Sequence, residues 1–142
     1  MVPEYQLLDA AKIGDLQAAR EAVDRGADVD FRDSSRVNPL FLACTNGHMR
    51  VAELLVEHGA DVNAVFGKRR QTLMHWAAEH GSFGVMTFLL AHKADMNALR
   101  CDNATPLHLA TKGGHDYVAK MLRDRGAIQG VRKSGAVVLI VG

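Results

Sequence analysis

Gly59-Ala60-Asp61-Val62-Asn63 is the stretch that decides the fold, because the chain repeats it. It stands earlier as Gly26-Ala27-Asp28-Val29-Asp30 and later as Lys93-Ala94-Asp95-Met96-Asn97, and a worn copy, Gly126-Ala127-Ile128-Gln129, closes the series. The steps are 33, 34 and 33 residues. A fixed period of that length means small units stacked in a row, each unable to bury its apolar face alone, and not one central core. The question of function then moves from a single pocket to the residues that line a shared surface.

A second string keeps phase with the first. It reads Asn38-Pro39-Leu40-Phe41-Leu42-Ala43, Thr72-Leu73-Met74-His75-Trp76-Ala77 and Thr105-Pro106-Leu107-His108-Leu109-Ala110, while Tyr5-Gln6-Leu7-Leu8-Asp9-Ala10 keeps only the Leu and Ala. Thr105 suits an N-cap and Pro106 the first helical position, where a missing N–H is not needed. Gly14, Gly47, Gly81 and Gly114 follow these strings and permit a tight reversal that keeps the first helix short. The second helix shows the 3.6-residue period: Val51, Leu54 and Leu55 share one face, as do Val85, Phe88 and Leu89, and Val118, Met121 and Leu122. Gly26, Gly59 and Gly126 stand where a helix end takes a left-handed residue, and Lys93 in that place is expected to cost about 1 kcal/mol. The polar segments after each Ala-Asp string are expected to project as hairpin-like loops, or fingers.

These residues resemble the ankyrin repeat. Thr105 to Ala110 match its Thr-Pro-Leu-His-x-Ala signature, Gly47-His48 and Gly114-His115 match the Gly-His that opens its second helix, and residues 59–63 match its Gly-Ala-Asp-Val-Asn. The resemblance implies an all-α ankyrin-repeat solenoid of four helix–turn–helix units with projecting loops, at about residues 4–37, 38–71, 72–104 and 105–129. Residues 1–129 would form the repeat domain and 130–142 a C-terminal tail. It also implies binding on the concave side, built from fingertips and first helices. In eukaryotic members, asparagines placed like Asn63 and Asn97, eight residues after Leu55 and Leu89, can be hydroxylated by an oxygen-dependent enzyme, which makes them modification candidates if the source is eukaryotic.

Terminal units lack a neighbour on one side, so their outer faces should be polar. Glu21 stands where inner units have Leu54 and Phe88, and Gln6 and Asp9 replace Pro39 and Leu42. Asp116 and Arg123 stand where Met49, Phe83, Val56 and Leu90 stand inside. Units one and four read as caps. The tail run from Ala136 to Val141 is apolar and β-prone. A truncated fifth repeat, a strand or coil packed over the fourth unit, and a frayed end all fit it; packing is the expectation, because six exposed apolar residues are unfavourable.

Composition narrows the function classes. A net charge of +1 supplies no global field for nucleic acid or membrane. No apolar run reaches the roughly 20 residues that span a bilayer, and Met1-Val2-Pro3-Glu4-Tyr5 lacks the regions of a signal peptide. Cys44 and Cys101 are neither CxxC-spaced nor dense, so reduced thiols in a cytoplasmic or nuclear protein are expected. Cys44 takes a small-residue position shared with Ala11, Ala78 and Thr111 and reads as a buried structural thiol. Cys101 lies between Arg100 and Asp102, either an exposed thiol without a role or one made reactive by a nearby cation.

Seven histidines invite a metal or catalytic reading, but six sit at repeat positions. His75 and His108 occupy the signature and should bond Thr72 or Thr105 and neighbouring backbone. His48 and His115 open second helices; His58 and His92 sit in last turns, where positive charge suits the helix dipole. His80 follows His75 by five residues, which is not the spacing of a helical zinc pair. No phosphate-binding or acyl-transfer motif occurs. The chain is read as non-enzymatic, with no catalytic residue, metal or cofactor.

The binding signal lies in fingers 31–37, 64–71 and 98–104. They carry Arg32, Arg36, Lys68, Arg69, Arg70 and Arg100 against Asp33 and Asp102, six minus two, or +4 in a chain of net +1. Such an edge would steer an acidic partner; the alternative is that loop charge only maintains solubility. The second finger is one residue longer and reads Phe66-Gly67-Lys68-Arg69-Arg70, an aromatic and a basic triplet suited to contact. Arg36 and Arg70 align with the turn glycine of the resembled pattern, and Asn103 fills it in the third finger. Arg in a left-handed turn carries a cost, which points to use or to a different turn geometry. First helices add Lys12, Ile13, Thr45, Asn46, Glu79, His80, Lys112 and Gly113, with Trp76 either core or anchor. The expectation is a monomeric protein-interaction module for a partner protein or peptide of acidic or mixed charge. The alternatives are a fragment of a larger multidomain adaptor or regulator that recruits an enzyme and, as a minor one, a nucleic-acid-associated repeat protein; neither nucleic acid nor membrane is the expected partner.

Overall fold

Four short signals per period build the helices. A computed structural model describes residues 2–131 and 137–139. Among the described residues eight helices follow in order: α1 (Pro3–Ile13), α2 (Leu16–Asp24), α3 (Pro39–Thr45), α4 (Met49–Glu57), α5 (Leu73–His80), α6 (Phe83–Ala91), α7 (Pro106–Lys112) and α8 (Asp116–Asp124). Two strands, β1 (Ile128–Val131) and β2 (Val137–Leu139), come last. The fold is the all-α class that the resemblance implied. The chain forms two compact units, residues 1–62 and 63–142. In the first, α1 packs on α2 and α3, and α4 packs on α3 and α2. In the second, α5 packs on α6 and α7, and α8 on α7 and α6.

The signature string starts the first helix of a pair. Asn38 Oδ1 accepts from the Phe41 N–H at 2.8 Å, and the Thr72 and Thr105 hydroxyls accept from the N–H of His75 and His108. Each such cap is worth about 1 kcal/mol. The helix then stops on its glycine. Asp15, His48, Ser82 and His115 each send an N–H five residues back, to Ala10, Ala43, Ala77 and Ala110. This closure needs a left-handed residue in between, and Gly14, Gly47, Gly81 and Gly114 all have φ between 66° and 82°. Second helices end in the same way: Ala27, Ala60, Ala94 and Ala127 donate to Ala22, Leu55, Leu89 and Leu122. That is the physical content of Gly-Ala in the repeated string, and Lys93 adopts φ 60° where the others have glycine.

The Asp and Asn of the string tie one loop to the next. The Asp61 N–H donates to Asp30 Oδ1 at 3.1 Å, the Asp95 N–H to Asn63 Oδ1 at 2.7 Å, and the Ile128 N–H to Asn97 Oδ1 at 2.9 Å. The predicted apolar faces are buried, including Leu54, Leu55, Val85, Phe88, Leu89, Val118 and Leu122, while Met121 is half-buried. Glu21, Asp9, Asp116 and Arg123 are exposed, as polar outer faces require. Phe83 departs from its internal reading: it is 56% exposed.

β1 packs on α7 and pairs antiparallel with β2, Ile128 opposite Leu139, Gly130 opposite Val138 and Val131 opposite Val137. Part of the apolar tail is therefore a paired strand; Ala136, Ile140 and Val141 lie outside the described residues. No helix among the described residues is long and apolar enough to cross a membrane.

Candidate interaction surface

The second finger is a closed hairpin. Phe66 and Gln71 exchange both backbone hydrogen bonds, at 2.8 and 3.1 Å. Gly67 and Arg70 inside it take φ of 70° and 55°. A further bond holds the tip, for the Cys101 N–H of the third finger donates to the Arg69 carbonyl at 2.9 Å. Lys68, Arg69 and Arg70 are exposed and form no ion pair among the described residues. The basic triplet is thus displayed on a backbone that is already ordered. Phe66 corrects the expectation of an aromatic contact at the tip. It is 7% exposed and sits at the base of the hairpin, paired with Gln71.

The third finger corrects a second expectation. Arg100 is 7% exposed and does not project. Its Nε and Nη2 donate to the two Asp102 oxygens, at 3.2 and 2.7 Å, a fork-to-fork pairing that two residues of spacing allow in a tight turn. Asp102 also accepts from the Ala104 N–H at 3.1 Å. The Arg100 hydrogen bonds hold the Asp102 carboxyl down at about 2. Nη1 is buried with no partner among the described residues. Arg100 and Asp102 therefore cancel and shape the loop, and Asn103 completes it at φ 63°.

The first finger stands in the other unit. Arg32 and Arg36 are exposed; Arg32 Nη1 donates to the Arg36 carbonyl at 3.3 Å, and Arg36 has φ 64°. Phe31 meets Tyr5 edge to face, with ring centroids 5.5 Å apart. Arg36, Arg70 and Asn103 occupy equivalent positions, and all three take the left-handed turn that the alignment with a turn glycine suggested.

Among first-helix residues, Trp76 is half-buried and lies flat on His80, with centroids 4.5 Å apart and planes 21° from parallel. His80 Nδ1 is 2.9 Å from the Trp76 carbonyl, so this ring is held against its own helix. Glu79 and Lys112 are exposed. Thr45 and Asn46 turn back on α3, donating to the Phe41 and Leu42 carbonyls at 2.8 Å each. Lys12 and Ile13 are exposed at the end of α1. Asn63 and Asn97 hold loop backbone through their side-chain oxygens, as described above.

The two signature histidines behave differently. His75 is fully buried; Nε2 donates to the Ala104 carbonyl at 3.0 Å, which leaves Nδ1 to accept from the Thr72 N–H at 3.1 Å. Burial lowers its pKa. His108 is exposed, and the Thr105 hydroxyl donates to the Ile128 and Gln129 carbonyls. The shared expectation for this pair fails at His108, because β1 takes the hydroxyl. His48 and His115 reach the Lys12 and Glu79 carbonyls, at 3.1 and 2.9 Å, and their rings lie where a Cβ on Gly14 or Gly81 would go. Cys44 is 1% exposed and burial pushes its thiol up to about 12, as a structural role requires; Cys101 is exposed.

A family model of ankyrin repeats, in three copies, matches residues 7–100 and 66–134. The chain belongs to the ankyrin-repeat family, whose repeats serve as protein–protein interaction modules. It is 30% identical over 105 residues to the palmitoyltransferase Hip14 of Drosophila melanogaster, a match covering 74% of this chain and 16% of that protein. It is 32% identical over 118 residues to the putative E3 ubiquitin-protein ligase XBAT35 of Arabidopsis thaliana, covering 82% and 26%. It is 39% identical over 102 residues to a putative ankyrin repeat protein of Rickettsia felis, covering 70% and 45%. The matched region spans less than half the length of each of these relatives.

Proposed function

We propose that this chain is a non-enzymatic binding module for a protein or peptide of acidic or mixed charge, taken up by the basic fingers together with Trp76, Glu79, His80 and Lys112. The observation that carries the reading is the closed Phe66–Gln71 hairpin, which displays Lys68, Arg69 and Arg70 without intramolecular carboxylates. Little backbone order is left to impose on the loop when it binds, and preorganisation of that kind favours affinity. Arg32 and Arg36, in the first finger of the other unit, are exposed cations of the same sign. Ankyrin repeats are generally non-catalytic, which supports this reading, and the enzyme names among the relatives belong to proteins far longer than this chain.

A fluorescent peptide of alternating Glu and Gly tests the surface. Lys68→Ala/Arg69→Ala/Arg70→Ala should weaken its binding by about 1.5 kcal/mol, roughly tenfold, and flatten the salt dependence, with an unchanged melting temperature. Equal binding by both proteins would remove the fingers from the site. Tighter, salt-sensitive binding of duplex DNA than of the peptide would favour the nucleic-acid reading. A second reading, a recruiting segment within a larger multidomain protein, is supported by the small share of the relatives that the chain spans.

A further inference from the structure

The starts of α6 and α8 frame an open cleft of about 550 Å³. Phe83 and Tyr117 form its aromatic walls and Asp116 is its one charged lining residue. None of these residues belongs to the fingers or to the first helices. The rings are exposed beyond what packing explains, Phe83 at 56% and Tyr117 at 84%. The inner wall is fixed: the His115 ring fills the space above Gly81, 2.4 Å from where a Cβ would stand, and its Nε2 is bonded to the Glu79 carbonyl. Behind Phe83, α6 has no charged residue along its whole length. The α8 cation that follows, Lys120, is paired with Asp124 at 3.1 Å.

We infer that this cleft is a second docking point, separate from the fingers, and that its occupant is a lysine or arginine side chain of a partner protein. The chemistry of the lining selects that ligand. An aromatic face attracts a cation held within about 6 Å of its centroid. The aliphatic stem of Lys or Arg covers apolar ring surface while its head stays polar, and Asp116 supplies the carboxylate for a charge-assisted hydrogen bond. The starts of α6 and α8 favour negative charge, but an acidic side chain would meet repulsion from both Asp116 and the ring faces. An uncharged one would forgo both attractions. The site is thus opposite in sign to the basic fingers.

Titration of the 15N-labelled full chain with acetyl-Gly-Arg-Gly-amide tests this, with the norleucine and glutamate tripeptides as comparators. The arginine peptide should produce saturable amide shifts at Gly81, Phe83 and Tyr117, about threefold or more above both comparators. Tyr117→Ala and Asp116→Asn each replace an exposed side chain and should each cut that response about threefold while the rest of the spectrum is unmoved. The Lys68/Arg69/Arg70 triple alanine variant should respond as the parent does, which separates this site from the fingers. Equal shifts with norleucine or glutamate, or an arginine response that both cleft variants leave intact, would overturn the assignment.

Discussion

Replacing each signature histidine by alanine should give two very different losses of stability, although sequence places both at the same repeat position. His75→Ala removes the Nε2 hydrogen bond to the Ala104 carbonyl and the Nδ1 acceptor for the Thr72 N–H. The carbonyl keeps a donor, because the Arg100 N–H also reaches it at 3.1 Å. The Thr72 N–H does not, in a residue only 5% exposed. Two net hydrogen bonds at about 1 kcal/mol each, and about 1 kcal/mol for the orphaned donor, come to about 3 kcal/mol. For a chain of this size that is a fall of roughly 10 °C in melting temperature. His108→Ala removes an exposed ring and should cost less than about 0.5 kcal/mol. Urea and thermal unfolding of both variants, followed by circular dichroism, measure the difference. Losses equal within about 0.5 kcal/mol would show that the His75 bridge between α5 and the third finger does not carry the stability assigned to it.

Four further outcomes follow from the geometry above. The folded pKa of His75 lies below 6.5, so the unfolded chain takes up the proton first; the contribution is complete above 6.5 and is lost as pH falls below it. Asp102, held at about 2 against an ordinary 3.8, adds a second loss below 3.8, and Asp102→Asn should remove that acid limb from a stability–pH series. Lys93→Gly should stabilise by about 0.5–1 kcal/mol, read from a urea midpoint, because the φ of 60° carries strain that glycine lacks. An aromatic disulfide reagent should titrate Cys101 rapidly in the native protein and Cys44 only after unfolding.

The backbone was largely legible because its closures are local. An N–H that reaches five residues back across a left-handed residue needs little more than a glycine, an alanine and a short apolar run at fixed offsets, and these stand in the sequence at each period save that Lys93 takes one glycine's place. Thr and Asn caps are readable for the same reason. The left-handed turns at Arg36, Arg70 and Asn103 could be anticipated from their alignment with a glycine, since φ is a property of one residue and its immediate neighbours.

Side-chain direction in the fingers was not legible, and Arg100 shows why. Counted as charge, it is one of six finger cations. Its actual environment depends on a partner two residues on, on the Ala104 carbonyl that its own N–H shares with His75, and on a neighbouring finger braced through Cys101 and Arg69. A spacing of Arg-x-Asp inside a loop is the one signal that pointed to the fork, and in sequence it reads equally well as solvated charge. Phe66 and Phe83 invert the same lesson. The loop phenylalanine, paired through its backbone with Gln71, is buried, and the helix phenylalanine, at the first position of α6, is exposed. The test therefore lies in a swap of size at these two positions: Phe66→Ala should loosen the hairpin and lower affinity for an acidic peptide without touching any charge. Phe83→Ala should leave that affinity and the fold in place. If the two substitutions acted alike on acidic-peptide binding, the division between a basic finger site and a separate aromatic cleft would fail.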